Sequence, residues 1–332
     1  MRGVLTDSFG RRIDYLRLSV TDRCNLRCQY CLPEHHAGFA PAPDILTPDE
    51  IERVVRIFAA AGVSRVRLTG GEPLVRTDII EIVERLARVP GLSDLSMSTN
   101  GVLLAPLARP LVRAGLRRVN ISLDSLDAER FRSVTRFGRL DEARAGLDAA
   151  LAAGLSPVKL NMVVARGLNE DEVDAFAALT QEAPLHVRFI ELMPMGETGF
   201  FSKERWVPLA EIMAAAGPLE PLSDAERPVG HGPARYHRRP GARGSIGFIS
   251  ALSCGFCASC NRLRLTSSGL LVPCLDGEAG IDLRGPLRRG AGDAELRRLL
   301  EETVRAKPRE HAMAAKAEAA ASNPRLMCSI GG

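Results

Sequence analysis

Cys24-Asn25-Leu26-Arg27-Cys28-Gln29-Tyr30-Cys31 sets three thiols on one short loop, three and then two residues apart. Three thiolates can hold three irons of a [4Fe-4S] cube and leave the fourth iron open, whereas clusters that only carry electrons usually have four cysteine ligands. An open iron accepts a substrate or cofactor, so the spacing points to chemistry on the metal. Zinc is the alternative, with His35 or His36 closing a site of three cysteines and one histidine. Cys-x3-Cys-x2-Cys is unlike the paired knuckles of zinc sites, and the cluster is the better reading.

The chain around this loop alternates short β-like runs with amphipathic helical runs, the pattern of a parallel sheet with right-handed crossovers. Strands are expected at 15–21, 65–69, 94–98, 118–124, 157–164 and 185–192. Thr47, Pro48 and Glu50 read as N-cap, first helical residue and capping box of a helix whose Ile51, Val54, Val55 and Phe58 recur at helical spacing. The fold class is therefore α/β. An incomplete (β/α)6 TIM-type barrel is expected over residues 1–217, followed by a C-terminal extension, 218–332, that begins in a stretch dense in Pro, Gly and Arg. Helices are expected at 209–216 and 293–304.

Side chains alternate between the two faces of a strand. Leu16, Leu18, Val66, Leu68, Val119, Ile121, Leu160 and Met162 fall on one set of faces and must meet the helices. Arg17, Arg65, Arg67, Asn120, Ser122, Asp124, Lys159 and Asn161 fall on the other and point into a lumen that a closed barrel would fill with aliphatic side chains. Cations outnumber Asp124 there, and unpaired buried cations are costly, so an anionic ligand is expected. The sixth strand alternates too poorly for its faces to be assigned.

A second cysteine group, Cys257-Ala258-Ser259-Cys260 and then Cys274, brackets a hairpin pattern: Arg262 to Thr266, a Ser-Ser-Gly turn, and a Leu270 to Val272 return. Cys260 and Cys274 would face each other across it. Spacing alone leaves open a zinc site, with Cys254 as fourth ligand, and a three-cysteine cluster.

Composition narrows the class. Apolar residues at 45% and charged residues at 25% are ordinary globular values. Apolar runs fall short of the roughly 18–20 residues of a membrane span, and the opening residues do not read as a signal peptide, so a cytoplasmic protein that takes no membrane is expected. Eight cysteines, six of them in two short stretches, suit metal binding in a reducing compartment. A net charge of +4 without a basic run or interleaved aromatics gives no support to nucleic-acid binding.

The cysteine loop, with the aromatic Tyr30 directly before its third thiol, resembles that of the radical S-adenosylmethionine (SAM) superfamily. Gly70-Gly71-Glu72-Pro73, just past the second strand, resembles the superfamily's GGE motif, whose backbone meets the amino group of SAM. These features, the Arg17 strand, the Cys-x2-Cys-x13-Cys group and a final Gly331-Gly332 together resemble the GTP 3′,8-cyclase family of molybdenum cofactor biosynthesis over almost the whole chain. The resemblance implies two [4Fe-4S] clusters, one on Cys24, Cys28 and Cys31 and one on Cys257, Cys260 and Cys274, with Cys254 a non-ligand. It implies SAM against Tyr30, Gly71, Ser122 and Met193, and GTP held by Arg17, Arg65, Arg67, Ser98, Lys159, Arg262 and Arg264. Ser98 stands where threonine is expected and keeps the hydroxyl. The implied reaction makes 3′,8-cyclo-7,8-dihydro-GTP, with the Gly331-Gly332 tail entering the active site. The implied partners are a one-electron donor such as a flavodoxin or ferredoxin and a downstream cyclic pyranopterin monophosphate synthase; a homodimer is compatible with it. A peptide-modifying radical SAM enzyme with an auxiliary cluster is the alternative, but that class usually carries more downstream cysteines.

Overall fold

The structure is a computed structural model that describes every residue except Met1, Arg2, Glu197, His231, Glu278 and Gly332. Six parallel strands run in chain order: β1 (Tyr15–Ser19), β2 (Arg65–Thr69), β3 (Asp94–Thr99), β4 (Arg118–Ser122), β5 (Val158–Val164) and β6 (His186–Glu191). Helices α1 (Pro48–Ala61), α2 (Ile79–Ala87), α3 (Leu104–Ala114), α4 (Ala128–Thr135), α5 (Leu140–Ala152) and α6 (Val173–Glu182) make the crossovers. The capping box of α1 forms as the sequence suggests: Glu50 N–H donates to Thr47 Oγ1 at 3.2 Å and Thr47 N–H to the Glu50 carboxylate at 2.8 Å.

The apolar strand faces meet the helices in one core. Leu16, Leu18, Val66, Leu68, Val119, Ile121, Leu160 and Met162 pack there with Ile51, Val54, Val55 and Phe58 of α1. Burying each aliphatic side chain is worth about 1.5–3 kcal/mol. A one-residue slip of any strand would forfeit that set and turn its arginines into the core, so register is firmly specified. On β6, whose faces the sequence left unassigned, Val187 and Phe189 join the core.

The extension returns to the same sheet at both edges. After α7 (Leu209–Ala215) come β7 (Glu220–Pro221), β8 (Arg235–Arg238), β9 (Ser245–Ile249), β10 (Arg262–Leu265), β11 (Leu270–Val272) and β12 (Ile281–Asp282). Strand β9 lies parallel to β6 and β10 parallel to β1, with Arg17 opposite Arg264; β8 and β7 continue antiparallel beyond β9, as β11 and β12 do beyond β10. The sheet ends at β12 and β7 and is an incomplete barrel. Its parallel part has eight strands, where the sequence pattern showed six. Helix α8 (Arg284–Arg288) precedes α9 (Asp293–Arg305), which packs beside α1. The short α10 (Met313–Glu318) and α11 (Met327–Ile330) lead back to the mouth of the lumen.

Candidate active site

The three cysteines of the loop after β1 line a cavity at the carboxyl ends of the strands. Burial pushes the Cys24 thiol up to about 11, and the Cys28 and Cys31 thiols lie well above the ordinary value, again chiefly through burial. Such thiols become thiolates when a metal supplies the compensating charge. Gly71 sits hard against this loop. A Cβ there would lie 2.4 Å from the Arg23 carbonyl and 2.5 Å from that of Asp22, so only glycine allows the two loops to touch. The buried Glu72 carboxylate fixes the arrangement, accepting from Leu74 N–H, Thr99 Oγ1–H and Asn100 N–H. Tyr30 lines the cavity while its hydroxyl donates to Asp124 at 2.6 Å, and Asp124 also accepts from Val163 N–H. Ser122 and Met193 line the same space.

Cys257, Cys260 and Cys274 line that cavity too, and Cys254 is not among its lining residues. Strands β10 and β11 form the expected hairpin, with Arg264 opposite Val272. Burial raises the Cys260 thiol, but the charges of Arg262 and Lys307 overcome this and bring it down to about 6. The turn leading to this group hangs on Glu191 at the end of β6, a side chain to which sequence reasoning assigned no role. Its carboxylate accepts from Leu209, Leu252 and Ser253 N–H groups at 3.0–3.1 Å and from the Ser253 hydroxyl. Glu191→Gln would turn an amide nitrogen toward donors and should cost on the order of 1–3 kcal/mol, read as a lower melting temperature. An unchanged melt would show that this carboxylate is not the anchor.

The same cavity is cationic. Arg17 and Arg67 line the cavity as the alternation suggested, and Ser98, Arg262 and Arg264 as the resemblance implied. So do Asn161 and Arg188, whose Nε donates to Asn161 Oδ1 at 2.8 Å. Arg188 was missed because β6 was left without faces, although it sits between the buried Val187 and Phe189. Burial, with neighbouring guanidiniums adding to it, holds Arg67 and Arg264 down to about 10 and lowers Arg17 well below its usual range. Lys159 is brought down to about 5 by burial and by Arg188, Arg118 and Arg67. It is not among the residues that line the cavity: it is buried, and its Nζ donates to the Val229 carbonyl at 2.7 Å. Arg65 corrects one expectation. It shares a strand face with Arg67 but lies one pleat nearer the amino end, where it pairs with Asp14 and does not line the cavity.

The tail reaches this site. Asn323 N–H donates to the Pro194 carbonyl at 3.0 Å, and the Asn323 side chain donates to the Asp276 carbonyl at 2.7 Å. Beyond it, Cys328 is buried beside Cys31, and the Gly331 carbonyl accepts from Arg264 Nη1 at 2.7 Å and Arg17 Nε at 3.2 Å. Gly331 has φ +69°, and a Cβ there would overlap Thr69 Oγ1 at 2.1 Å. Gly332 lies outside the described residues.

Comparison with known proteins matches the Radical SAM superfamily model over residues 18–180 and the Molybdenum Cofactor Synthesis C model over residues 185–313. The GTP 3′,8-cyclase of Pelotomaculum thermopropionicum is 52% identical over 310 residues, 93% of this chain and 95% of its own length. That of Heliobacterium modesticaldum is 52% identical over 330 residues, 99% of this chain and 100% of its own. The chain belongs to the GTP 3′,8-cyclase family. Among solved structures, Streptococcus suis SuiB bound to S-adenosylmethionine superposes with a TM-score of 0.59 at 15% identity, over 86% of this chain and 68% of its own, which bears out the fold alone. As a radical SAM enzyme of this family, the chain uses SAM and [4Fe-4S] clusters. The donor set suits both cubes in kind: two separate groups of three thiols line one cavity, and three thiols per cube leave one iron without a protein ligand. No helix among the described residues is long and apolar enough to cross a membrane.

Proposed function

We propose that this chain converts GTP to (8S)-3′,8-cyclo-7,8-dihydro-GTP, the first step of molybdenum cofactor biosynthesis. One observation carries the reading: two cysteine triplets line one cavity together with several arginines, in a chain half identical to GTP 3′,8-cyclases from end to end. When bound, the clusters and SAM supply one-electron cleavage of the sulfonium and removal of hydrogen from C3′ of the ribose, which lets C3′ bond to C8 of guanine.

The chain's own part is placement and charge. Cys24, Cys28 and Cys31 hold the first cluster, and the Gly71 backbone, Tyr30, Ser122 and Met193 seat SAM beside it. Cys257, Cys260 and Cys274 hold the second, where the guanine docks. Arg17, Arg67, Ser98, Lys159, Arg188, Arg262 and Arg264 hold the triphosphate, whose negative charge answers guanidiniums crowded enough to depress one another. Arg65 stays outside this grip because Asp14 already neutralises it. The partners that suit this chemistry are a flavodoxin or ferredoxin as electron donor and a cyclic pyranopterin monophosphate synthase downstream. A cytoplasmic setting suits the eight unpaired cysteines.

Anaerobically isolated protein should contain about eight irons and eight sulfides per chain. Zinc in place of the second cluster would overturn the assignment. Lys159→Ala should weaken GTP binding by one to two decades, the equivalent of the charge-assisted contact of roughly 1.5–3 kcal/mol that forms once the triphosphate offsets the burial and the guanidiniums that hold this lysine neutral, and leave SAM binding unchanged. Equal GTP affinity of parent and variant in equilibrium dialysis would remove Lys159 from the phosphate grip.

A further inference from the structure

We propose that Lys307 is the positioning residue of the second cysteine group: its ammonium ties together the two hairpin arms that carry Cys260 and Cys274 and fixes a positive charge beside the cluster they hold. This rests on the reading of Cys257, Cys260 and Cys274 as cluster ligands.

Lys307 follows the end of α9 and is 3% exposed. Its Nζ donates to the Arg262 carbonyl at 2.8 Å and to the Pro273 carbonyl at 2.6 Å. Arg262 opens β10 two residues after Cys260, and Pro273 directly precedes Cys274, so one side chain spans both arms just where they present their thiols. The adjacent backbone is braced to the third thiol of the group. Arg11 donates to the Pro308 and Arg309 carbonyls and, from the same guanidinium, to the Cys257 carbonyl at 2.8 Å. All three cysteines therefore hang on the turn that begins at Lys307.

Charge makes the second half of the argument. Arg11 is neutralised by Asp7 at 2.5 Å, but both acceptors of Lys307 are neutral carbonyls. A buried ammonium demands a counter-charge, and Lys307 lines the cavity within reach of the charges of Cys260 and Cys274. Three thiolates around a cube leave a net negative charge that deepens on reduction, so a fixed cation favours the reduced state and raises the cluster's potential. Lysine also has the three donors needed to hold two carbonyls and still face the cluster.

The test is a redox titration of the reconstituted protein followed by electron paramagnetic resonance, with iron counted in parallel, for the parent, Lys307→Met and Lys307→Arg. Lys307→Met keeps the bulk and removes the charge. Its second cluster should titrate at a more negative potential, with the reduction equilibrium shifted tenfold or more, about 59 mV for one electron, while the first cluster stays where it was. Loss of the second cluster from Lys307→Met with retention in Lys307→Arg would support the same role. A second cluster at the parent's potential in Lys307→Met, or one lost from both variants, would overturn it. A parent with only one cluster's iron would instead refute the ligand reading, whatever Lys307 does.

Discussion

Cys274→Ser is expected to lose about one cluster of iron and all turnover of GTP, while dithionite-driven cleavage of SAM survives in part. Cys24→Ser should cleave no SAM and therefore turn over no GTP, while it keeps the iron of the second cluster. The two thiol groups line one cavity but come from distant parts of the chain, so the loss of one ligand set leaves the other intact. Within a set there is no such tolerance. A cube held by three thiolates has no spare protein ligand, so the loss of one leaves a second iron without a protein ligand. Cys254→Ser should match the parent, since Cys254 does not line the cavity. Loss of the second metal from Cys254→Ser, with zinc found by elemental analysis, would contradict this division.

Deletion of Gly331 and Gly332 should stop cyclisation while both clusters and GTP binding persist. The Gly331 carbonyl accepts from Arg17 and Arg264, two arginines of the proposed phosphate grip, so the tail and the substrate meet on the same side chains. Each guanidinium has five N–H donors and can serve both at once. Gly331→Ala should fail almost as completely, because the added carbon would overlap Thr69 Oγ1 and a positive φ disfavours it. A peptide of the last residues, supplied in trans at high concentration, should restore part of the activity by replacing a tethered contact with an intermolecular one. Normal product formation by the truncated protein would reduce the tail to an ordinary chain end.

Much of this was legible in the sequence because the decisive signals are local. The cysteine spacing, the capping box at Thr47 and the period-2 alternation of β1, β2, β4 and β5 each lie within a few residues, and each is found in the structure. What escaped depends on distant partners. Strands β9 and β10 are five and four residues long, and they become parallel strands only because β6 and β1 offer free edges. Arg65 and Arg67 look alike in sequence; Asp14, brought in by the chain before β1, separates them. Glu191 and Lys307 act on backbone groups of remote segments, and backbone groups leave no mark in a sequence.

The central claim is that the cavity sets C3′ of GTP against the radical made from SAM at the first cluster. GTP carrying deuterium at C3′, incubated anaerobically with SAM, dithionite and the reconstituted protein, tests it most directly. The account predicts deuterium in the 5′-deoxyadenosine formed, together with 3′,8-cyclo-7,8-dihydro-GTP. 5′-Deoxyadenosine free of deuterium, with the label still on unconsumed GTP, would contradict it.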